Sequence, residues 1–325
     1  MVDEKRIDAE QAVFQPSLFD SGGRARLIGH VGQINDLTPD SSLDIARYWY
    51  RRYLEQSGYP HNTVKSYCYD LAILNSLIGS KRINQITRKD IAQYLDASLN
   101  RSTRKRRLTS VSSFFRFLIA QAQVLDTDPA DSFHPDPIPL KTPKPLFGQE
   151  QDALLEAAEA DGPRAHAIIW LILNLGLTRS EILRLRPSDI DLTDSTSPVV
   201  YVFYDSPRYA GKERKLAADP EFVEIYQQLR SAYPNAETLF VMLPQSINRL
   251  VERVAHAAGI DKSVSPQSLR DTFAVNQARS GLDEADLLEI LGLANDARNR
   301  TSVQRYLKLA QPPLAPGKRQ PDSPD

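Results

Sequence analysis

From Ser41 onward, apolar positions recur at helical spacing, and polar or glycine breaks divide the chain into elements. The run SLDIARYWYRRYLEQSG sets Ile45, Tyr48, Trp49 and Leu54 near one helical face, with Gly58 as the stop. NTVKSYCYDLAILNSLIG predicts a second helix, opened by an asparagine cap and closed by glycine. TRKDIAQYLDASL carries the Thr-x-x-Asp start of a third. TRKRRLTSVSSFFRFLIAQA is a fourth, basic at its start and apolar at Val111, Phe114, Phe115 and Leu118. Together these predict a small all-α domain over residues 41–127. Residues 1–40 have no sustained periodicity and read as a flexible arm.

In DPADSFHPDPIPLKTPKPL the prolines exclude helix and favour an extended, stiff connection, here residues 128–145. A second domain, residues 146–310, opens with the helical runs GQEQDALLEAAEA and PRAHAIIWLILNLG. Two short β-like runs follow, PVVYVFYD and ERKLAAD, around a turn. Further helical runs extend to NRTSVQRYLKLA, and residues 311–325 read as a disordered tail. The fold class is therefore mainly α with a small β-sheet.

Composition adds little until its distribution is considered. The formal net charge of −1 says nothing about partners. Yet Ala97 to Leu125 contains no Asp or Glu and holds Arg101, Arg104, Lys105, Arg106, Arg107 and Arg116. A local basic face of this kind binds phosphate whatever the total charge. Cys68 is the single cysteine, which excludes a disulfide within the chain, and its setting reads as inert core. The five histidines lack metal-ligand spacing. Ala167 to Leu175, the longest apolar stretch and broken only by Asn174, falls short of the roughly 20 residues of a membrane helix. The first residues carry no signal-peptide core. These features set the expectation of a cytoplasmic, nucleoid-associated protein with no metal and no cofactor.

Four segments, in one order, carry a family resemblance. TVKSYCYDL resembles the Thr-x-x-x-Tyr helix of tyrosine recombinases of the Xer and phage-integrase type. GLTRSEILRLRPSDIDL is similar to their arginine-bearing corner. SPQSLRDTFAVNQARSGLDEADLLEILG resembles their His-x-x-Arg helix and the Leu-Gly-His segment after it. TSVQRYLKL is similar to the segment with the nucleophilic tyrosine. The resemblance covers residues 41 to about 310. It implies a four-helix, SAM-like core-binding domain followed by a tyrosine-recombinase catalytic-type domain. It also implies double-stranded DNA as partner, with self-association or pairing with another recombinase on DNA.

In that chemistry a tyrosine oxygen attacks a phosphodiester and conserves the bond as a phosphotyrosine. Arginines brace the non-bridging oxygens, and a lysine protonates the leaving oxygen. The resemblance puts Tyr306 in the nucleophile slot and Arg270 in the second arginine slot. Other slots depart: Thr178 stands for the first arginine, Gln267 for a histidine and Leu293 for the histidine of Leu-Gly-His. Asp271 replaces a further frequent histidine. Lys212 is the candidate hairpin lysine, with Lys215 the weaker choice. Arg179 lies one place beyond the arginine slot, and one helical step turns a side chain by about 100°, away from Tyr306.

Loss of a phosphate-bracing arginine costs on the order of a thousandfold or more in phosphoryl transfer. DNA binding survives, because affinity comes largely from neutralised phosphates. The leading expectation is a DNA-binding family member with weak or no autonomous strand cleavage. The alternatives are an active recombinase using Tyr306, Arg270, Arg179 and Lys212, and a non-enzymatic regulator of transcription or replication. In the arm, FQPSLFD resembles the peptide by which bacterial proteins dock on the replication sliding clamp, with Gln15 fixing register and Leu18 and Phe19 filling an apolar pocket.

Overall fold

In a computed structural model that describes residues 36–135, 138, 142–204 and 211–311, the chain divides into two units, Met1–Leu140 and Lys141–Asp325. The division falls within the proline-rich stretch. The clamp-like peptide and the tail lie outside the described residues.

In the first unit, α1 (Leu43–Gln56), α2 (His61–Ile78), α3 (Arg88–Asp96) and α4 (Arg101–Ala120) enclose one core. The buried stripe of α1 is Leu43, Ala46, Tyr50 and Leu54. Ile45, Tyr48 and Trp49, expected on that face from the spacing, are only partly buried. Tyr50 decides the rotation, because its ring meets Phe114 of α4 edge-on at 5.4 Å. On α4, Val111, Phe114, Phe115 and Leu118 are buried as the spacing predicts. Thr87 caps α3 in a box with Asp90. The asparagine cap expected for α2 is absent: Pro60 holds the cap position and Asn62 lies inside the helix. Part of the presumed linker belongs to this core, since Ala130 is buried in it and Phe133 packs against it.

In the second unit, α5 (Gly148–Asp161) leads into α6 (Pro163–Leu175). Helix α6 is buried nearly all round, as a central helix must be. It stops at Gly176, which adopts the left-handed conformation at φ 63°. A Cβ there would sit 2.3 Å from the Phe273 ring, so only glycine fits both the turn and the neighbour. A one-turn helix α7 (Arg179–Ile182) follows.

The sheet has strands β1 (Ile190–Asp191), β2 (Val199–Val202) and β3 (Arg214–Ala217), antiparallel in the order β1-β2-β3. Strand β1 adds to the two β runs read from the sequence. Val200 pairs with Leu216 and Val202 with Arg214. The remaining helices are α8 (Glu221–Ala232), α9 (Pro244–Ala257), α10 (Pro266–Arg279), α11 (Glu284–Ile290) and α12 (Ala297–Ala310). Helix α10 packs on both α6 and α12, which brings the corner after α6 and the Tyr306 helix to one place.

Candidate active site

Arg270 is 8% exposed on α10. Its Nη1 donates to the carbonyl of Gly176 and its Nη2 to that of Leu291. The two acceptors sit at glycine turns: Gly176 ends α6, and Leu291 precedes Gly292 after α11. Burial pulls the guanidinium's pKa down, opposed mainly by Glu181.

Thr178 does not face the site as a free hydroxyl. It is the N-cap of α7, where its Oγ1 accepts from the Glu181 N–H at 3.3 Å and its own N–H donates to Glu181 Oε2 at 2.6 Å. Glu181 is 6% exposed and receives Arg214 on both oxygens, Nη1–Oε1 at 2.9 Å and Nη2–Oε2 at 3.1 Å. Tyr204 also donates to it, and Arg270 Nη1 lies 3.7 Å away. Burial alone would raise the carboxyl's pKa. The Arg214 bonds and charge, then Arg270 and the Thr178 N–H, overturn this and hold it at about 2.

Arg214 is a buried charge at this corner that the sequence alone did not single out. The residues of β3 alternate buried and exposed, with Arg214 and Leu216 inward. An arginine on the inward face of a strand was the available signal, since such a charge requires a partner.

Tyr306 is 8% exposed on α12 and packs with Phe273, Ala274, Val275 and Leu291. Its hydroxyl donates to Asp271 Oδ1 at 2.7 Å. Gln267 Nε2 donates to the same oxygen at 2.9 Å. Burial, and then the Asp271 charge and hydrogen bond, push the phenol's pKa up. Leu293 packs against the cluster that contains Tyr306 and offers no donor.

Arg179, Thr178, Gln267 and Arg270 line one cleft of about 450 Å³ together with Asn248 and Ser265. Arg179 Nη1 donates to Asn248 Oδ1 at 2.8 Å. Arg179 lines this cleft, whose lining does not include Tyr306; Thr178 is extended at φ −79°, ψ 159° and Arg179 is the first helical residue. Lys212 is half-buried, and its carbonyl accepts from Arg214 Nη1 at 3.4 Å. Lys215 is exposed on β3. Among the described residues, no group of three or more His, Cys, Asp and Glu could hold a metal ion.

In the first unit the basic residues of α4 separate by role. Arg106 pairs with the buried Asp70. Arg107 donates to the Tyr94 carbonyl at 3.1 Å and lies over the Tyr94 ring. Arg104 reaches Asp96 at 3.6 Å. Arg101, Lys105 and Arg116 are exposed. Arg101, Arg104 and Lys105 border a cavity of about 160 Å³ with Asp96, Phe133 and His134.

Comparison with known proteins covers both units. The signature described as Phage integrase family matches residues 145–311. That of the phage integrase N-terminal SAM-like domain matches residues 47–122. The chain is 28% identical over 269 residues to tyrosine recombinase XerC of Oceanobacillus iheyensis, covering 74% of this chain and 84% of the relative. It is 27% identical over 280 residues to tyrosine recombinase XerD of Ralstonia nicotianae, covering 80% and 88%. Among solved structures, a lambda integrase dimer bound to a COC′ core site superposes with a TM-score of 0.66 at 17% identity, over 94% of this chain and 87% of that one. The XerH site-specific recombinase bound to difH substrate superposes with a TM-score of 0.61 at 17% identity, over 82% of each.

Proposed function

Because this chain belongs to the phage integrase family, whose members are tyrosine recombinases acting in DNA recombination, we propose that it binds duplex DNA in recombination and cleaves strands slowly or not at all by itself. The observation that carries this reading is the Tyr306–Asp271 hydrogen bond. A carboxylate adjoins the hydroxyl that would attack. A phosphate monoanion in reach of Tyr306 would lie roughly 5 Å from that charge. At an effective dielectric of about 20 the repulsion is about 3 kcal/mol, on the order of a hundredfold in rate. The absence of a cation at Thr178 acts in the same direction.

The same hydrogen bond supports a second reading, in which Asp271 accepts the phenol proton and Tyr306, Arg270, Arg179 and Lys212 form a working site. One experiment separates the two. A nicked duplex, carrying a site selected for binding from random sequence, is incubated with the protein and scored for a covalent adduct. The first reading expects little or no adduct from the wild type and more from Asp271→Asn. An appreciable wild-type adduct, abolished by both Tyr306→Phe and Asp271→Asn, would overturn it in favour of the second.

The proposal extends to partners. On DNA the protein pairs with copies of itself or with an active recombinase, as a cytoplasmic, nucleoid-associated protein. Its arm docks on a sliding clamp through Gln15, Leu18 and Phe19, a contact that rests on the arm sequence alone.

A further inference from the structure

We infer that Arg214 is a positioning residue: by holding Glu181 on both carboxylate oxygens, it leaves the charge of Arg270 available to an anion in the cleft. The inference rests on the proposed DNA-binding role only for the identity of that anion.

Three buried charged groups meet at one point, two cations and one anion. Glu181 is within hydrogen-bond distance of both Nη atoms of Arg214, whereas Arg270 stands off at 3.7 Å. The fork-to-fork geometry is the stronger pairing, so the anion is matched by Arg214. The unmatched positive charge then lies on Arg270, the one of the two that lines the cleft. Arg214 is itself held in place. It faces inward from β3 opposite Val202, and its guanidinium lies against Gly292, where a Cβ would stand 2.5 Å from Nη1. That turn follows Leu291, whose carbonyl accepts from Arg270. Arg214 thus joins the Thr178–Glu181 corner, the hairpin and the turn after α11. Without it, Glu181 would be a buried carboxylate with Arg270 as its nearest cation. Such a charge draws in any available partner, and Arg270 would be withdrawn from the cleft.

A purely structural ion pair would affect folding and leave the anion response of the folded protein unchanged. The test uses the full chain and two probes: the melting-temperature rise produced by sulfate against chloride at equal ionic strength, and the salt dependence of duplex binding. The sulfate-specific rise should be present in the wild type and lost in Arg270→Gln and Arg214→Gln. It should return in Arg214→Gln combined with Glu181→Gln, where the Glu181 charge beside Arg270 is gone. Glutamine keeps the oxygen that accepts from the Thr178 N–H. For DNA, Arg214→Gln should reduce the magnitude of the slope of log K against log salt by about one.

If Arg214→Gln fails to fold, Arg214→Lys keeps the charge without the fork and should give a reduced sulfate response. A wild-type-sized response in Arg214→Gln or Arg214→Lys, a folded double variant without recovery, or no sulfate response in the wild type would each overturn the inference. A wild type that binds no duplex but shows the sulfate pattern would overturn the DNA reading and leave the role of Arg214 supported.

Discussion

Glu181 shows how one residue serves both local and long-range structure. It closes the capping box of α7 with Thr178 and is the shared anion of Arg214 and Arg270. The Thr-x-x-Glu spacing behind that cap is local, although from the sequence Thr178 reads only as a substituted arginine slot. The two arginines are not local, because they arrive from β3 and α10. With its pKa lowered from 4.5 to about 2, Glu181 adds stability that is fully present above the unfolded pKa. That stability is lost as pH falls from about 4.5 towards 2, and its size is about 3 kcal/mol. Denaturant midpoints measured at pH 5.5 and pH 3 should therefore fall further in the wild type than in Glu181→Gln. Equal falls would show that the carboxylate is not held as described. Asp271 is the counterpart at the nucleophile slot. Its replacement of a histidine was visible in the chain, while its bond to Tyr306, 35 positions away, required the packing of α10 on α12.

At the scale of elements, α4 was read correctly as a helix with one apolar face, since its periodicity is a local property. Its six cations were read as one DNA-facing set, and here the structure distinguishes them. Arg106 and Arg107 serve Asp70 and Tyr94 within the fold, whereas Arg101 and Lys105 are exposed at its N-terminal end. Arg101→Ala with Lys105→Ala should weaken duplex binding and reduce the magnitude of the salt slope by about two, without changing thermal stability. Unchanged binding in that variant would remove α4 from the DNA interface. Asp70→Asn, by contrast, acts on the fold, because Asp70 is buried and accepts from Arg106 and Ser110.

For the whole molecule, the two units have separate cores, and the proline-rich stretch between them was evident from composition. The boundary of the first core was less so. Ala130 and Phe133 belong to it although proline density assigned them to a linker, because apolar burial outweighs local extended preference. The arm precedes both cores, and its proposed clamp contact is a property of the full chain. A pull-down with purified clamp should capture the wild type and lose Leu18→Ala with Phe19→Ala. Equal capture of both, or of neither, would dismiss the peptide.

By itself, the sequence determined the two-domain order, most helices with their stops, the glycine corner, and which residues fill the slots at Thr178, Gln267, Arg270, Leu293 and Tyr306. The order and the helices follow from local periodicity, capping chemistry and spacing, which act within a few residues, whereas the slots are what the family resemblance implies. Only the tertiary structure decided that Arg214 holds Glu181, that Asp271 holds Tyr306, and that Arg179 remains in the cleft beside Arg270. Each depends on where separate elements bring side chains together. A buried charge takes its partner from whatever the packed core places beside it, irrespective of distance along the chain.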